Sequence, residues 1–313
     1  MRGAELSQDD GGHQEADTVT ALRTLLGGIV DYAGLFPPAG LDMPAAVRNY
    51  ASYLSAADAW MLGRFVVPVA RLAELESALS GAPATPGREW RLTALAIADI
   101  DAEVERARAF NASHLNRARI DVLETKAASL GEIERTARAV ENAFPTFVEL
   151  PLTADVDPLL AALNERGLSA KLRTGGVVPD AFPSAEQVAR FLRGCVRAGV
   201  PFKATAGLHH PLRASYRLTY DDGAPTGLMF GYLNVFLTAG LMANGLSDAD
   251  AVRLLDERDP GAFELRDDTV GWRGHLLTAE QAQRVRERVA VSFGSCSYRE
   301  PVDELRALTL APA

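Results

Sequence analysis

The chain has little cysteine: two residues in 313, Cys195 and Cys296, with no CxxC pair and no zinc-ligand spacing. That excludes a disulfide framework or a structural zinc site, and it suits a reducing compartment, so a cytoplasmic location is expected. No apolar run approaches the roughly 18 residues that a membrane-crossing helix needs. The opening stretch, MRGAELSQDDGGHQEAD, is polar and acidic without an apolar centre. It does not read as a signal peptide, and 1–17 is expected to be a disordered tail. The net charge is −9 and no block of basic residues stands out, so neither a membrane surface nor nucleic acid is an expected partner. The HxH and HExxH spacings of metal sites and the GxGxxG of dinucleotide sites are also missing; neither a metal nor a cofactor is expected.

What is present is an ordinary globular composition, 48% hydrophobic and 23% charged, with length enough for a full core. Short apolar runs alternate with amphipathic segments in eight cycles. The runs are 28–36, 64–69, 91–99, 119–124, 146–152, 169–175, 201–209 and 289–297. Helical spacing recurs over 43–56, 70–80, 101–110, 129–143, 157–165, 184–198, 227–243 and 301–308. Ser184 followed by Gln187, and Asp157 followed by Pro158, read as helix starts. Near-continuous apolar strands alternating with helices imply a parallel sheet covered by helices, and eight units favour a closed (β/α)8 TIM barrel over 18–313. A doubly wound open sheet is the other arrangement of such units, but its Gly-rich first turn is replaced by AGLFPPAG. About eighty residues, 210–288, separate the last two strands and are expected to form a helical insertion. It suits a lid, an oligomer contact or a plain extension, and the apolar helix within 227–245 fits either a buried core element or a contact between subunits.

Active sites of such barrels lie at the C-terminal ends of the strands, so polar residues late in apolar strands are informative. Asp31, Asp121, Glu124, Glu149, Lys171, Arg173, Lys203 and Thr205 are of this kind. Lys171 and Lys203 stand out, because lysine is almost never buried unless it is paired or used. Period-two alternation places Lys171 with Arg173, and Lys203 with Thr205 and Gly207, on common faces. As a nucleophile, lysine must be neutral. From a reference pKa near 10.4 only about one lysine in 2,500 is neutral at pH 7, and a neighbouring cation raises that fraction. The alternatives are a structural ion pair with Glu149 or Asp121, or snorkelling of the ammonium to the barrel rim.

Glycines and hydroxyls gather at the ends of the last three strands: Thr174, Gly175, Gly176, Thr205, Gly207, Gly294, Ser295 and Ser297. Together they suggest an anion cradle, although tight turns account equally for the glycine pair. His209 and His210 are adjacent and on an extended strand would face opposite ways, which suits substrate hydrogen bonding better than a shared metal. Cys296 and the tryptophans read as packing.

In strand order these residues resemble the deoxyribose-phosphate aldolase family of class I aldolases. VDYAGLF is similar to its first-strand motif and implies Asp31, and RIDVLE implies a catalytic Asp121. AKLRTG implies Lys171 as the Schiff-base lysine, and FKATAG implies Lys203 as the lysine that perturbs it. FGSCS is similar to the phosphate-holding strand eight and implies Gly294, Ser295 and Ser297. The similarity spans about 30–210 and 289–308. Arg173 replaces a small serine, Gly176 stands where the family often has a lysine, and neither the His-His pair nor the insertion is a family feature. The resemblance implies a lyase forming or breaking carbon–carbon bonds in a small phosphorylated or carboxylated carbonyl substrate. Catalytic roles fall on Lys171, Lys203, Asp121, Asp31 and Glu149. Substrate or anion binding falls on Arg173, Thr174, Thr205, Gly207, His209, His210, Gly294, Ser295 and Ser297. Two other readings remain open. One is a metal-assisted hydrolase or isomerase using His209 or His210 with Glu149 or Glu124; the other is a non-catalytic barrel that binds a ligand or partner through 210–288.

Overall fold

The computed structural model describes residues 20–81, 89–114, 117–141, 143–152 and 155–310; the expected 1–17 tail lies outside them. Its strands in chain order are β1 (Val30–Tyr32), β2 (Leu62–Pro68), β3 (Trp90–Leu95), β4 (Ala118–Lys126), β5 (Thr146–Glu149), β6 (Ser169–Arg173), β7 (Phe202–Thr205), β8 (Ala214–Arg217), β9 (Thr226–Met229), β10 (Phe263–Leu265), β11 (Thr269–Trp272), β12 (His275–Thr278) and β13 (Ala290–Ser295). Eight of them close into a parallel barrel in the order β1-β13-β7-β6-β5-β4-β3-β2. This is the (β/α)8 architecture that the eight-cycle alternation predicts.

Local sequence chemistry places the surrounding helices. Helix Ala185–Ala198 starts on a reciprocal cap between Ser184 and Gln187 and stops at Gly199, whose φ of 66° is the left-handed conformation glycine tolerates best. The expected cap at Asp157 is different. The helix begins at Asp157 itself without a side-chain cap, and that carboxylate pairs with Arg197 instead. The core is a single apolar cluster lying between strands and helices, and it continues into the insertion.

The insertion between β7 and β13 is less purely helical than its sequence suggests. It holds helices Tyr232–Ala243, Asp248–Asp256 and Ala279–Arg288, but also the β8–β9 hairpin and the three-stranded β10-β11-β12 sheet. Helix Tyr232–Ala243 is buried on all sides from Tyr232 to Met242, which makes it a core element of this chain. Burying a Leu or Phe side chain contributes about 1.5–3 kcal/mol, so Phe236 and its neighbours anchor the insertion firmly to the barrel. Fully buried Asn234 ties it further: its side chain accepts from Arg213 N–H and donates to the carbonyls of Leu254 and Glu257. Among the described residues no helix is long and apolar enough to cross a membrane.

Candidate active site

Lys171 and Lys203 are register partners on neighbouring strands β6 and β7, and both side chains are buried inside the barrel. Glu124 on β4 holds them together. Lys171 Nζ lies 2.7 Å from Glu124 Oε2, and Lys203 Nζ lies 2.5 Å from Glu124 Oε1. Each lysine has a further carboxylate: Glu149 at 3.2 Å from Lys171, and Asp31 at 2.5 Å from Lys203. The result is an alternating chain, Glu149–Lys171–Glu124–Lys203–Asp31. Asp31 is oriented in turn by Arg64 N–H at 2.7 Å and by the Ser292 hydroxyl at 2.8 Å. Gly63 leaves the space for it, because a Cβ there would overlap the Asp31 carboxylate.

The electrostatics follow from this alternation. Burial pushes the Glu124 carboxyl upward, but the two ammonium groups outweigh that and hold it at about 2. Glu149 is likewise lowered, with Lys171 and Arg173 overcoming its desolvation. Burial favours the neutral form of Lys203, yet Asp31 and Glu124 reverse the sign and raise its pKa above the ordinary value. The repulsion expected between two bare ammonium groups is therefore offset by the carboxylate between them.

Lys171 borders a cavity of about 370 Å³ at the C-terminal end of the barrel; Lys203 is not among the residues that line it. One wall is apolar, with Phe36, Pro37, Pro38, Val66, Leu95 and Ile97. Lys126 and Arg173 stand at the rim on either side of Glu149, Arg173 donating to it at 2.9 Å. The β8–β9 hairpin and the turn after β8 close another side with Arg217, Leu218, Thr219, Tyr220 and Met229.

Asp121 is not brought to the lysines. It accepts from Arg64 at 2.6 Å and from Arg91 at 2.8 Å, nearer the N-terminal ends of the strands. The pairing of β3 with β4 shifts register there, Leu92 facing Ile120 and Thr93 facing Val122. Asp121 is the extra residue, and it is Glu124 that reaches the lysines.

The expected anion cradle is only partly available. Thr205, Gly207 and Gly294 border the cavity with Arg173, His209 and His210, but Thr174, Ser295 and Ser297 do not. The Thr174 hydroxyl donates to the Ala206 carbonyl at 2.5 Å, the Ser295 hydroxyl donates to the Ser297 carbonyl at 2.6 Å, and Ser297 Oγ accepts from Glu300 N–H. Gly175 and Gly207 make room for Phe182: a Cβ on Gly175 would overlap its ring, and one on Gly207 would reach it at 3.0 Å. The histidines turn to different acids, His209 to Glu300 at 3.4 Å and His210 to Glu304 at 2.8 Å.

Lys126, which sequence reasoning passed over, completes the site, and Glu124, named there as a late-strand acid and as a partner of the histidines in the metal-assisted alternative, touches both lysines. Lys126 carries a signal in plain counts: among 32 basic residues the chain has three lysines, 126, 171 and 203, and all three belong to this site. Arginine serves everywhere else. Arginine stays charged at any accessible pH, so a lysine kept in an arginine-rich chain marks a place where a compact or deprotonatable amine is needed.

The fold and site together define a (β/α)8 barrel with a buried lysine–carboxylate network at its C-terminal mouth. No protein-family model matches the chain, and none of the curated proteins matches it. Among solved structures it is similar to a tetrameric deoxyribose phosphate aldolase from Aeropyrum pernix, at 14% identity over 92% of this chain and 97% of that one, with a TM-score of 0.45. It is also similar to 3-keto-L-gulonate-6-phosphate decarboxylase from Vibrio cholerae, at 14% identity over 74% of this chain and 96% of that one, with a TM-score of 0.40. Neither likeness assigns a role to a residue of this chain.

Proposed function

We propose that the protein is a Schiff-base-forming lyase of the class I aldolase type, acting on a small carbonyl substrate that carries an anionic group. The observation that carries this reading is the position of Lys171: of the two core lysines it alone borders the cavity, between two ionised carboxylates. Glu149 takes the ammonium proton as the carbonyl approaches, and neutral Nζ adds to the carbonyl carbon. Proton return to the carbinolamine oxygen expels water and leaves a protonated imine. Cleavage of the adjacent carbon–carbon bond then sends its electron pair into that imine, giving an enamine that is reprotonated and hydrolysed. Lys203, itself paired with Asp31, keeps Glu124 ionised and in place. No metal or cofactor is needed for these steps.

For the anionic group, a carboxylate suits the site better than a phosphate. Three of the expected hydroxyl contacts are spent on backbone groups, and Glu300 stands at that end of the cavity. Arg217 on the hairpin, without a side-chain partner among the described residues, and Lys126 on the opposite rim provide the countercharge. One observation favours a second reading: both amines are engaged by carboxylates, which would suit a proton-transfer site with no covalent intermediate. Borohydride trapping with pyruvate and with acetaldehyde, followed by peptide mapping, separates the two. A carbonyl-dependent adduct on Lys171 supports the lyase reading; turnover without any adduct supports the other.

A further inference from the structure

A second group of interacting side chains borders the same cavity. His209, Tyr220, Cys296 and Glu300 all border it. The imidazole is held through one nitrogen: Nδ1 lies 3.1 Å from Ser295 Oγ and 3.4 Å from Glu300 Oε2. Because the Ser295 hydroxyl already donates to the Ser297 carbonyl, its oxygen is left to accept, which makes Nδ1 the N–H donor. Nε2 has no partner among the described residues. Tyr220 braces the acid by donating to Glu300 at 3.1 Å. An imidazole fixed on one nitrogen by a serine hydroxyl with a carboxylate beside it, and with the other nitrogen unengaged, is an arrangement suited to a proton-transfer catalyst.

We infer that His209, positioned by Glu300 and Tyr220, is the acid–base group for the carbonyl that the Lys171 enamine attacks or releases. The inference rests on the Schiff-base reading above. In the forming direction the enamine carbon bonds to the acceptor carbonyl carbon, the carbonyl π pair moves to oxygen, and that oxygen takes the proton from Nε2. In the cleaving direction neutral Nε2 removes the hydroxyl proton as the carbon–carbon bond breaks and its electrons pass to the imine. Proton, bond and charge balance without any other reactant. Lys171 thus handles one reacting carbon and His209 the oxygen of the other, which gives a role to each of the two polar clusters that share one largely apolar cavity.

The groups facing His209 are Glu300, Cys296, Tyr220 and His210, with Glu304 behind His210 and Tyr32 beside Cys296. Burial favours the neutral imidazole, but hydrogen bonding to Cys296 and Glu300 outweighs it and raises the pKa to about 9. The imidazolium form therefore dominates at neutral pH, so carbon–carbon bond formation falls as pH rises through about 9, and cleavage rises over the same range.

The test uses the full-length protein with pyruvate as donor and acetaldehyde as acceptor, comparing wild type with His209→Asn and Glu300→Gln. Three quantities are read: the borohydride adduct on Lys171, deuterium exchange into the pyruvate methyl group, and condensation with acetaldehyde across pH 6–10. The expected result is that His209→Asn keeps adduct and exchange while condensation falls about 100-fold and the limb near pH 9 disappears. Glu300→Gln moves that limb to lower pH, since the imidazolium loses its carboxylate, and it serves as the second variant should His209→Asn fail to fold. Undiminished condensation with an unchanged limb overturns the inference, and so does loss of all three quantities together in folded variants, which marks a structural residue. Absence of the adduct in wild type is a different failure, because it removes the Schiff-base reading itself and the inference with it.

Discussion

Lys171 and Lys203 stand side by side on β6 and β7 and are bound to the two oxygens of one carboxylate, Glu124. Such a buried arrangement is informative because it is costly: desolvating several charges is repaid only when every partner is present. Lysine at these positions is therefore not interchangeable with arginine, and Lys171→Arg is the sharper test than Lys171→Ala. Arginine preserves a cation for Glu124 and Glu149 but cannot supply a neutral amine. Both variants should abolish the borohydride adduct. Lys171→Ala should in addition lose about 3 kcal/mol or more of stability in urea, since it strips one ion from a buried network. An adduct that persists in Lys171→Arg would move the nucleophile elsewhere.

Glu124 and Asp121, three residues apart on one strand, should respond very unequally to neutralisation. Glu124→Gln leaves two buried ammonium groups with one carboxylate fewer, and a loss of about 3–5 kcal/mol together with collapse of turnover is expected. Asp121→Asn removes only a partly exposed contact with Arg64 and Arg91, so the loss should be about 1 kcal/mol with the adduct intact. Equal damage to adduct formation from the two substitutions would restore Asp121 to the chemistry.

This pair also shows how far the sequence carries. Eight strand–helix cycles, the closed barrel and the inward aim of Lys171 and Lys203 were all legible, because alternation with period two determines which side chains share a face. Glu124 was legible as a late-strand acid, but its precedence over Asp121 was not, because one extra residue at Asp121 breaks that alternation. The sign of the Lys203 electrostatics was hidden as well, since its partners Asp31 and Glu124 come from β1 and β4, which only barrel closure brings to β7. The five strands of the insertion, three or four residues each, are too short to display a period at all.

Stability should depend on pH in two separate windows. Glu124 is held at about 2 when folded against an ordinary value near 4.3, so its contribution is complete above about pH 4.5 and is lost as pH falls towards 2. His209 runs the other way. Its folded value of about 9 exceeds the ordinary 6.5, so its contribution is complete below about pH 6.5 and is lost as pH rises through 9. Each amounts to roughly 3 kcal/mol. Urea midpoints measured from pH 3 to 10 should fall at both ends, and His209→Asn should flatten the alkaline decline while leaving the acid one. A variant whose alkaline decline matches wild type would show that other groups titrate there.

The glycines after β6 and β7 provide the last test, because packing and phosphate binding predict different partners for them. If Gly175 is small to admit Phe182, then Gly175→Ala forces the ring to move and costs about 1–3 kcal/mol, as overpacking does. Phe182→Ala removes the obstruction, so the cost of Gly175→Ala should shrink markedly in that background, a coupling measurable by a double-mutant cycle in urea. A backbone amide cradle for phosphate has no reason to depend on Phe182. In that case Gly175→Ala would weaken inhibition by inorganic phosphate equally in both backgrounds, and the two substitutions would add. Strong coupling without any change in phosphate inhibition is the expected outcome, and it would assign this turn to the architecture of the cavity wall while leaving anion recognition to Arg217 and Lys126.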